Sequence, residues 1–254
     1  MFRCIFLSII VVIGISNQSK GCEIKVGWED WPPYQFKNQG KVSGLDIEIV
    51  GEVAKAAGCK LILKEVPWKR QLVDIKKGRA DLALGASKNK EREKFSVFTS
   101  SYRNETMSLF VGGKSKKIEN LDELIKLISS GKFKLGITRG YFYGDKFKTA
   151  MSDPNFSKKI EEVKSTSQNL EKCKNGRIDG FFGDKFVVSH SIKQKNYSDK
   201  VFPTTLDLNS DSIFFMLSKN SVSPDSLNKI QRGLDKISKD GTLQNIKNRY
   251  LNTN

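Results

Sequence analysis

Leu45-Asp46-Ile47-Glu48-Ile49-Val50-Gly51-Glu52-Val53-Ala54-Lys55-Ala56-Ala57-Gly58, followed at once by Lys60-Leu61-Ile62-Leu63-Lys64, is the stretch that sets the fold class. Leu45, Ile49, Val53 and Ala57 recur at intervals of four, which puts an apolar stripe on one face of a helix, and Gly58 is a helix stop. The apolar run after it reads as a strand, and upstream Glu23-Ile24-Lys25-Val26-Gly27 reads as another. Downstream, a helix through Leu72 and Ile75 stops at Gly78, and Ala80 to Gly85 forms a third strand. This β-α-β-α-β order predicts a mainly parallel sheet with helices on both faces.

A second series begins near Asn120, which with Glu123 forms a capping pair before Leu121, Leu124, Ile125 and Ile128. Strands are expected over Lys134 to Thr138, Ile160 to Val163, Ile178 to Phe182 and around Val201-Phe202, with helices between them. Lys77-Gly78-Arg79-Ala80-Asp81 in the first series is echoed by Asn175-Gly176-Arg177-Ile178-Asp179 in the second. Two extended segments, Thr106 to Val111 and Ser212 to Leu217, cross between the series. Helices through Leu227, Ile230, Leu234 and Ile237, then through Leu243, Ile246 and Tyr250, return the chain to the first sheet. The expected division is 22–104 for the first lobe, 105–210 for the second, and 211–254 for the return, with a hinge near Asn104-Glu105 and Ser210-Asp211. Ligands of such sheets bind beyond the carboxyl ends of the strands, which here places one in the cleft between the lobes.

Residues 1–21 are expected to be a signal peptide. A basic start, about twelve apolar residues from Cys4 to Ile15, and Ser19 and Gly21 before Cys22 fit export better than a membrane span. Lipid attachment at Cys22 is the alternative processing, although Ser19-Lys20-Gly21-Cys22 lacks the usual Leu. The chain is thus expected in the periplasm, exported and either soluble or tethered at Cys22. Its formal net charge of +16 comes from 44 basic and 28 acidic residues. The basic residues are mostly Lys, scattered and without an aromatic-basic stripe, so a solvated surface is expected and nucleic acid is not. No Cys-x-x-Cys or Cys/His cluster exists and His190 is the sole histidine, which argues against a zinc site and against a histidine-based triad. Cys22 and Cys59 open strands expected to lie side by side, so export predicts a disulfide between them, leaving Cys173 as a free thiol.

Four segments carry the most information: Trp28-Glu29-Asp30-Trp31-Pro32-Pro33-Tyr34-Gln35-Phe36, Gly44-Leu45-Asp46-Ile47, Gly85-Ala86-Ser87-Lys88-Asn89-Lys90-Glu91-Arg92 and Gly180-Phe181-Phe182-Gly183-Asp184. In these, and in the ending Lys239-Asp240-Gly241-Thr242-Leu243 through Arg249-Tyr250-Leu251, the chain resembles the family 3 extracellular solute-binding proteins, the polar amino-acid receptors of bacterial ABC importers. The resemblance implies a two-lobed, periplasmic-binding-protein-like type II fold with two hinge strands. It also implies a monomer without cofactor or metal that hands a small amino-acid-like ligand to a membrane permease. Residue by residue, Arg92 matches the family's carboxylate-binding arginine, Ser87 a contact in the same loop, and Asp184 the acid that takes the ammonium. Trp31 and Trp68 match aromatic walls. The chemistry agrees, because a guanidinium forks two hydrogen bonds onto a carboxylate. Each residue also has a plainer reading: Arg92 as part of a solvated charged run, Asp184 as a helix cap, Trp31 as a packed corner beside two prolines.

Departures from the family pattern leave the ligand open. Gly140-Tyr141-Phe142-Tyr143 stands where relatives carry small hydroxyl residues, so Tyr141 is a further candidate contact. Pro67-Trp68-Lys69-Arg70 adds cations that a neutral amino acid does not need, and Arg70 is a second such candidate. Two rival functions remain at this stage. One is a dehydratase-like enzyme on the same fold, for which Glu29, Asp30 and Asp184 are the available acids. The other is a ligand-sensing adaptor for a membrane signalling protein.

Overall fold

The computed structural model describes residues 22–113 and 118–251; the expected signal peptide, 1–21, lies outside them. β1 (Cys22–Trp28) runs parallel to β4 (Cys59–Glu65) on one side and to β5 (Leu82–Ser87) on the other. β2 (Phe36–Asn38) and β3 (Lys41–Ser43) form a small hairpin apart from this sheet. Next to β5 come two long antiparallel strands, β6 (Ser96–Gly112) and β10 (Val201–Ser218), paired from Ser96 opposite Ser218 to Gly112 opposite Val201. β9 (Gly180–Asp184) lies against the far end of β6, followed by β7 (Leu135–Thr138) and the edge strand β8 (Glu161–Val163). The order β4-β1-β5-β10-β6-β9-β7-β8 makes one eight-stranded sheet with two parallel ends joined by the long pair. The strand expected around Val201-Phe202 is therefore the start of β10, and the crossing segments are longer than their apolar stretches indicate.

β5 pairs with Ile213 to Leu217 of β10, and β9 pairs with Met107 to Val111 of β6. Asn104 and Glu105, opposite Ser212 and Asp211, fall between those two regions. There the ribbon is only two strands wide, which is where the sequence places the hinge.

In the first half, α1 (Leu45–Ala56), α9 (Pro224–Lys239) and α10 (Thr242–Leu251) cover one face. Leu45, Ile49 and Val53 of the expected stripe are fully buried against Val26, Leu82, Phe215, Ile230 and Leu234, and Ala57, just past the helix end, is partly buried. Gly233 lets α9 approach α1: a Cβ there sits 2.6 Å from the Val53 carbonyl oxygen. α2 (Trp68–Lys76) covers the other face through Ile75 on Ala83, Ala86 and Met216. In the second half, Leu109 and Val111 face α4 (Leu121–Ser129), α5 (Asp145–Met151) and α6 (Pro154–Ser157). Phe110, the residue between them, faces α7 (Thr166–Lys174) and α8 (Lys185–Gln194). This is the period-two alternation of a sheet buried on both sides.

The sequence echo has a structural cause. Gly78 and Gly176 both take φ +67° at a helix end, a conformation that suits glycine. Asp81 and Asp179, each just before its own strand, then clamp a backbone group of the neighbouring strand segment. The Asp81 N–H donates to the Lys25 carbonyl while its carboxylate accepts the Lys25 N–H (both 2.8 Å). Asp179 does the same to Lys134, at 2.9 and 2.7 Å. Cys22 and Cys59, opposite each other in β1 and β4, form a disulfide with Cα atoms 4.5 Å apart. That sulfur cannot also carry a lipid thioether, so in the disulfide form Cys22 is not the anchor held open as an alternative. Cys173 is a free, buried thiol.

Candidate functional site

The carboxyl ends of β1 and β5 open onto the space between the two halves, and Arg92 is held there by the turn after β5. Asn89 caps α3 (Lys90–Glu93), its side-chain oxygen accepting the Arg92 N–H at 3.0 Å. This directs the Arg92 side chain inward, where the residue is 5% exposed. Nη1 donates to the Ser87 carbonyl at 2.6 Å, and the guanidinium lies 5.1 Å from the centre of the Trp68 ring, a cation–π arrangement. Burial lowers its pKa to about 10, which leaves it a cation at neutral pH.

The loop after β7, in the other half, closes over this arginine. The Gly140 carbonyl accepts from Arg92 Nη2 at 3.1 Å and from Trp68 Nε1 at 3.0 Å. The Tyr141 hydroxyl donates to Glu29 Oε1 at 2.7 Å, and its ring stands edge-on to Trp31 and Trp68, with centroids 6.0 and 6.4 Å away. Glu29 Oε2 accepts the Trp68 N–H at 2.9 Å, so this one carboxylate caps α2 and grips the opposite half. Burial pushes Glu29 up to about 7 despite both hydrogen bonds. The inner cavity that remains has a volume of about 20 Å³, room for a water molecule. Beyond Tyr141 lies an outer groove of about 550 Å³ with Lys69, Lys76, Phe95 and Lys148 on its walls; Arg92, Tyr141 and Phe142 line both spaces.

The floor of the inner cavity is built from buried charge. Arg103 on β6 donates from Nε and Nη2 to the two Asp46 oxygens at 2.9 and 3.2 Å, and its guanidinium stacks 3.7 Å from the Tyr34 ring centre. Gly85 makes room for this: a Cβ there meets Trp31 at 3.1 Å and Arg103 at 3.3 Å. Glu105, two residues on and lining the cavity, has its Oε2 3.7 Å from Arg103 Nη1. Neither atom has a hydrogen-bond partner, and Trp31 Nε1 is likewise unpartnered. Burial, then the nearby Asp184 carboxylate, pushes Glu105 up to about 8. Asp184 at the end of β9 is 1% exposed and caps α8 by accepting the Val187 N–H at 2.8 Å; burial pushes it up to about 6.

Trp31, Trp68, Ser87, Arg92 and Tyr141 are thus brought together around one cavity. Asp184 sits behind it, electrostatically coupled to Glu105 and not on the cavity wall. Arg70 is outside it, with its side chain 63% exposed and Nε on Asp74 at 3.0 Å. It shares that carboxylate with Arg79, and this helix-surface ion pair accounts for its charge. Among the described residues no group of three or more His, Cys, Asp or Glu could hold a metal ion. The residues that motif reading missed are Arg103 and Glu105. Their signal is two charges inside a strand flanked by Val97-Phe98 and Leu109-Phe110-Val111, a cost that burial imposes only where partners exist.

The sequence model of a family described as "Bacterial extracellular solute-binding proteins, family 3" matches residues 24–253. A probable histidine-binding protein of Neisseria gonorrhoeae is 23% identical over 93% of this chain and 85% of its own. An L-cystine-binding protein of Bacillus subtilis, TcyA, is 26% identical over 86% and 76%. Among solved structures, an ancestral arginine-binding protein bound to arginine superposes with a TM-score of 0.77 at 24% identity, covering 90% of this chain and 97% of that one. A histidine kinase sensor domain with similarity to periplasmic binding proteins superposes with a TM-score of 0.79 at 18% identity, over 91% and 96%.

Proposed function

The chain belongs to the bacterial extracellular solute-binding proteins of family 3, and from that premise we propose that it captures a small amino-acid-like ligand between its lobes and delivers it to the permease of an ABC importer. The observation that carries this reading is Arg92: a desolvated cation at the cleft, stacked on Trp68 and bound only to carbonyl oxygens. A carboxylate displaces a carbonyl from such a guanidinium with a gain, since charge-assisted bonds are roughly twice as strong as neutral ones. In the loaded form the ligand carboxylate takes the place of the Gly140 carbonyl on Arg92, Trp31 and Trp68 wall the side chain, and Asp184 supplies the counter-charge for the ammonium. Residues 22–104 and 211–254 form the lobe that holds Arg92, and 105–210 the lobe that holds Asp184. The protein works as an exported monomer after removal of residues 1–21.

Two neighbours keep the rival functions in play. An ancestral amino-acid-binding protein described as a precursor of cyclohexadienyl dehydratase superposes with a TM-score of 0.71 at 21% identity, and Glu29, at about 7, has the proton affinity a general acid or base uses. The sensor-domain neighbour stands for the adaptor reading. The deciding experiment is a thermal-shift screen of the amino acids, followed by calorimetry and product analysis on any hit. A receptor gives a saturable melting shift, lost in Arg92→Ala, with the ligand recovered unchanged. Conversion of the ligand refutes the receptor reading in favour of the enzyme.

A further inference from the structure

From the charge set at the cavity floor we infer that Glu105 is the counter-ion for a positively charged ligand side chain, so that this receptor selects cationic amino acids over their neutral isosteres. The inference rests on the receptor reading above and deepens it. A zwitterion needs one cation and one anion, the roles that the receptor reading gives to Arg92 and Asp184. Arg103 is already held by Asp46 through Nε and Nη2, and its remaining contact with Glu105, from Nη1 at 3.7 Å, is too long for a hydrogen bond. Glu105 is nevertheless there, with its side chain 6% exposed, on the cavity wall, and with an oxygen that nothing donates to. Glu29, the other acid on the wall, has both oxygens engaged, by Tyr141 and the Trp68 N–H. A neutral ligand leaves Glu105 protonated or held only by its long contact to Arg103 Nη1, without a hydrogen bond to Oε2; a cationic one adds the missing donor.

The groups that face Glu105 settle the accompanying proton. Asp184 from β9 and Asp46 from α1 repel its charge, whereas Arg103 on its own strand and Arg92 from α3 attract it. The Tyr34 and Tyr143 hydroxyls, which also feel it, stay protonated. Burial dominates and raises the carboxyl's hold on its proton, so without a cation beside it Glu105 favours the protonated form. A bound cation weakens that hold and expels the proton. Affinity for a cationic amino acid therefore climbs with pH up to about 8 and levels off above it, while affinity for a neutral one does not share this climb.

The test is calorimetry with arginine against citrulline and lysine against 2-aminoheptanoic acid, in buffers of different ionisation enthalpy at pH 7, on the wild type, Glu105→Gln and Glu29→Gln. The expected result is that a cationic ligand binds the wild type about tenfold or more tighter than its isostere, with release of a proton. Glu105→Gln removes both the preference and the proton release, the loss falling on the cationic ligands. Equal binding of the isosteres by the wild type overturns the inference. So does an equal loss for both ligand types in Glu105→Gln, which assigns Glu105 to the shared ammonium, or a preference abolished by Glu29→Gln and kept by Glu105→Gln. If Glu105→Gln does not fold, the wild-type preference and proton count decide. Neutral amino acids bound through Arg92 leave the receptor reading intact and sink only this inference; absence of binding to any amino acid sinks both.

Discussion

Arg92 shows how one residue can serve two states. Here its donors are satisfied by two carbonyls, so the charge is held without a counter-ion in direct contact. Loss of one partner of a buried charge pair costs about 2–5 kcal/mol, thirtyfold to several-thousandfold in affinity. Arg92→Ala is expected to weaken ligand binding by that much, and Arg92→Lys to restore only part, since an ammonium lacks the planar fork. Asp184→Ala is expected to weaken binding and also to lower the melting temperature, because α8 loses a cap worth about 1 kcal/mol. Calorimetry beside melting curves separates the two effects, and unchanged affinity in both variants removes these residues from the site. The three buried carboxyls make a further prediction. Glu29, Asp184 and Glu105 are all pushed above their ordinary range, to about 7, 6 and 8. The folded state thus holds protons that the unfolded chain releases first. Their stabilisation is complete below the unfolded carboxyl range near 4 and is lost as pH rises through 6 to 8. Carboxyls shifted the other way, such as Asp74 and Glu171, act below that window. The melting temperature of the empty protein should fall between pH 5 and pH 8.5, and a flat or rising profile contradicts the assignment.

At the scale of elements, the large sheet is fastened at its β4 edge. The Cys22–Cys59 disulfide ties β1 to β4 across 37 residues of sequence, which by loop entropy stabilises the fold by about 4 kcal/mol. Cys59→Ser should lower the denaturant midpoint accordingly while leaving ligand affinity within about threefold. A small shift means that the unfolded chain is already compact there. This pairing was readable in the sequence because both cysteines open strands of one βαβ unit, and the same local logic made the helices and parallel strands readable. The Asp81 and Asp179 clamps explain why the glycine-arginine-aspartate echo was a reliable marker: the chemistry repeats because the strand start repeats. What local pattern could not supply was the run of β6 and β10 through the hinge. Arg103, Asn104, Glu105, Asp207 and Asn209 to Ser212 are polar, and they are extended only because each strand serves as the other's partner. The site divided along the same line. Arg92, Ser87 and Trp31 sit in motifs that one lobe positions alone. The roles of Glu105 and the Gly140 carbonyl depend on the two lobes meeting, and no local pattern encodes that.

For the molecule as a whole, the loop from Gly140 to Tyr143 stands in the cleft with a hydrogen bond on Glu29 and a carbonyl on Arg92. That makes the protein a competitor of its own ligand, with kinetic consequences. Association has to wait until the tyrosine lets go, so the observed binding rate should rise with ligand concentration and then reach a ceiling set by opening. Apparent affinity is scaled down by the fraction of molecules already open. Tyr141→Ala should raise the ceiling in stopped-flow traces, and Tyr141→Phe, which loses only the hydroxyl bond, should raise it less. A rate that stays linear to the highest ligand concentration in the parent protein means that the tyrosine is no barrier. With such a latch, how long a passing solute must linger at the cleft is decided inside the protein before the two ever touch.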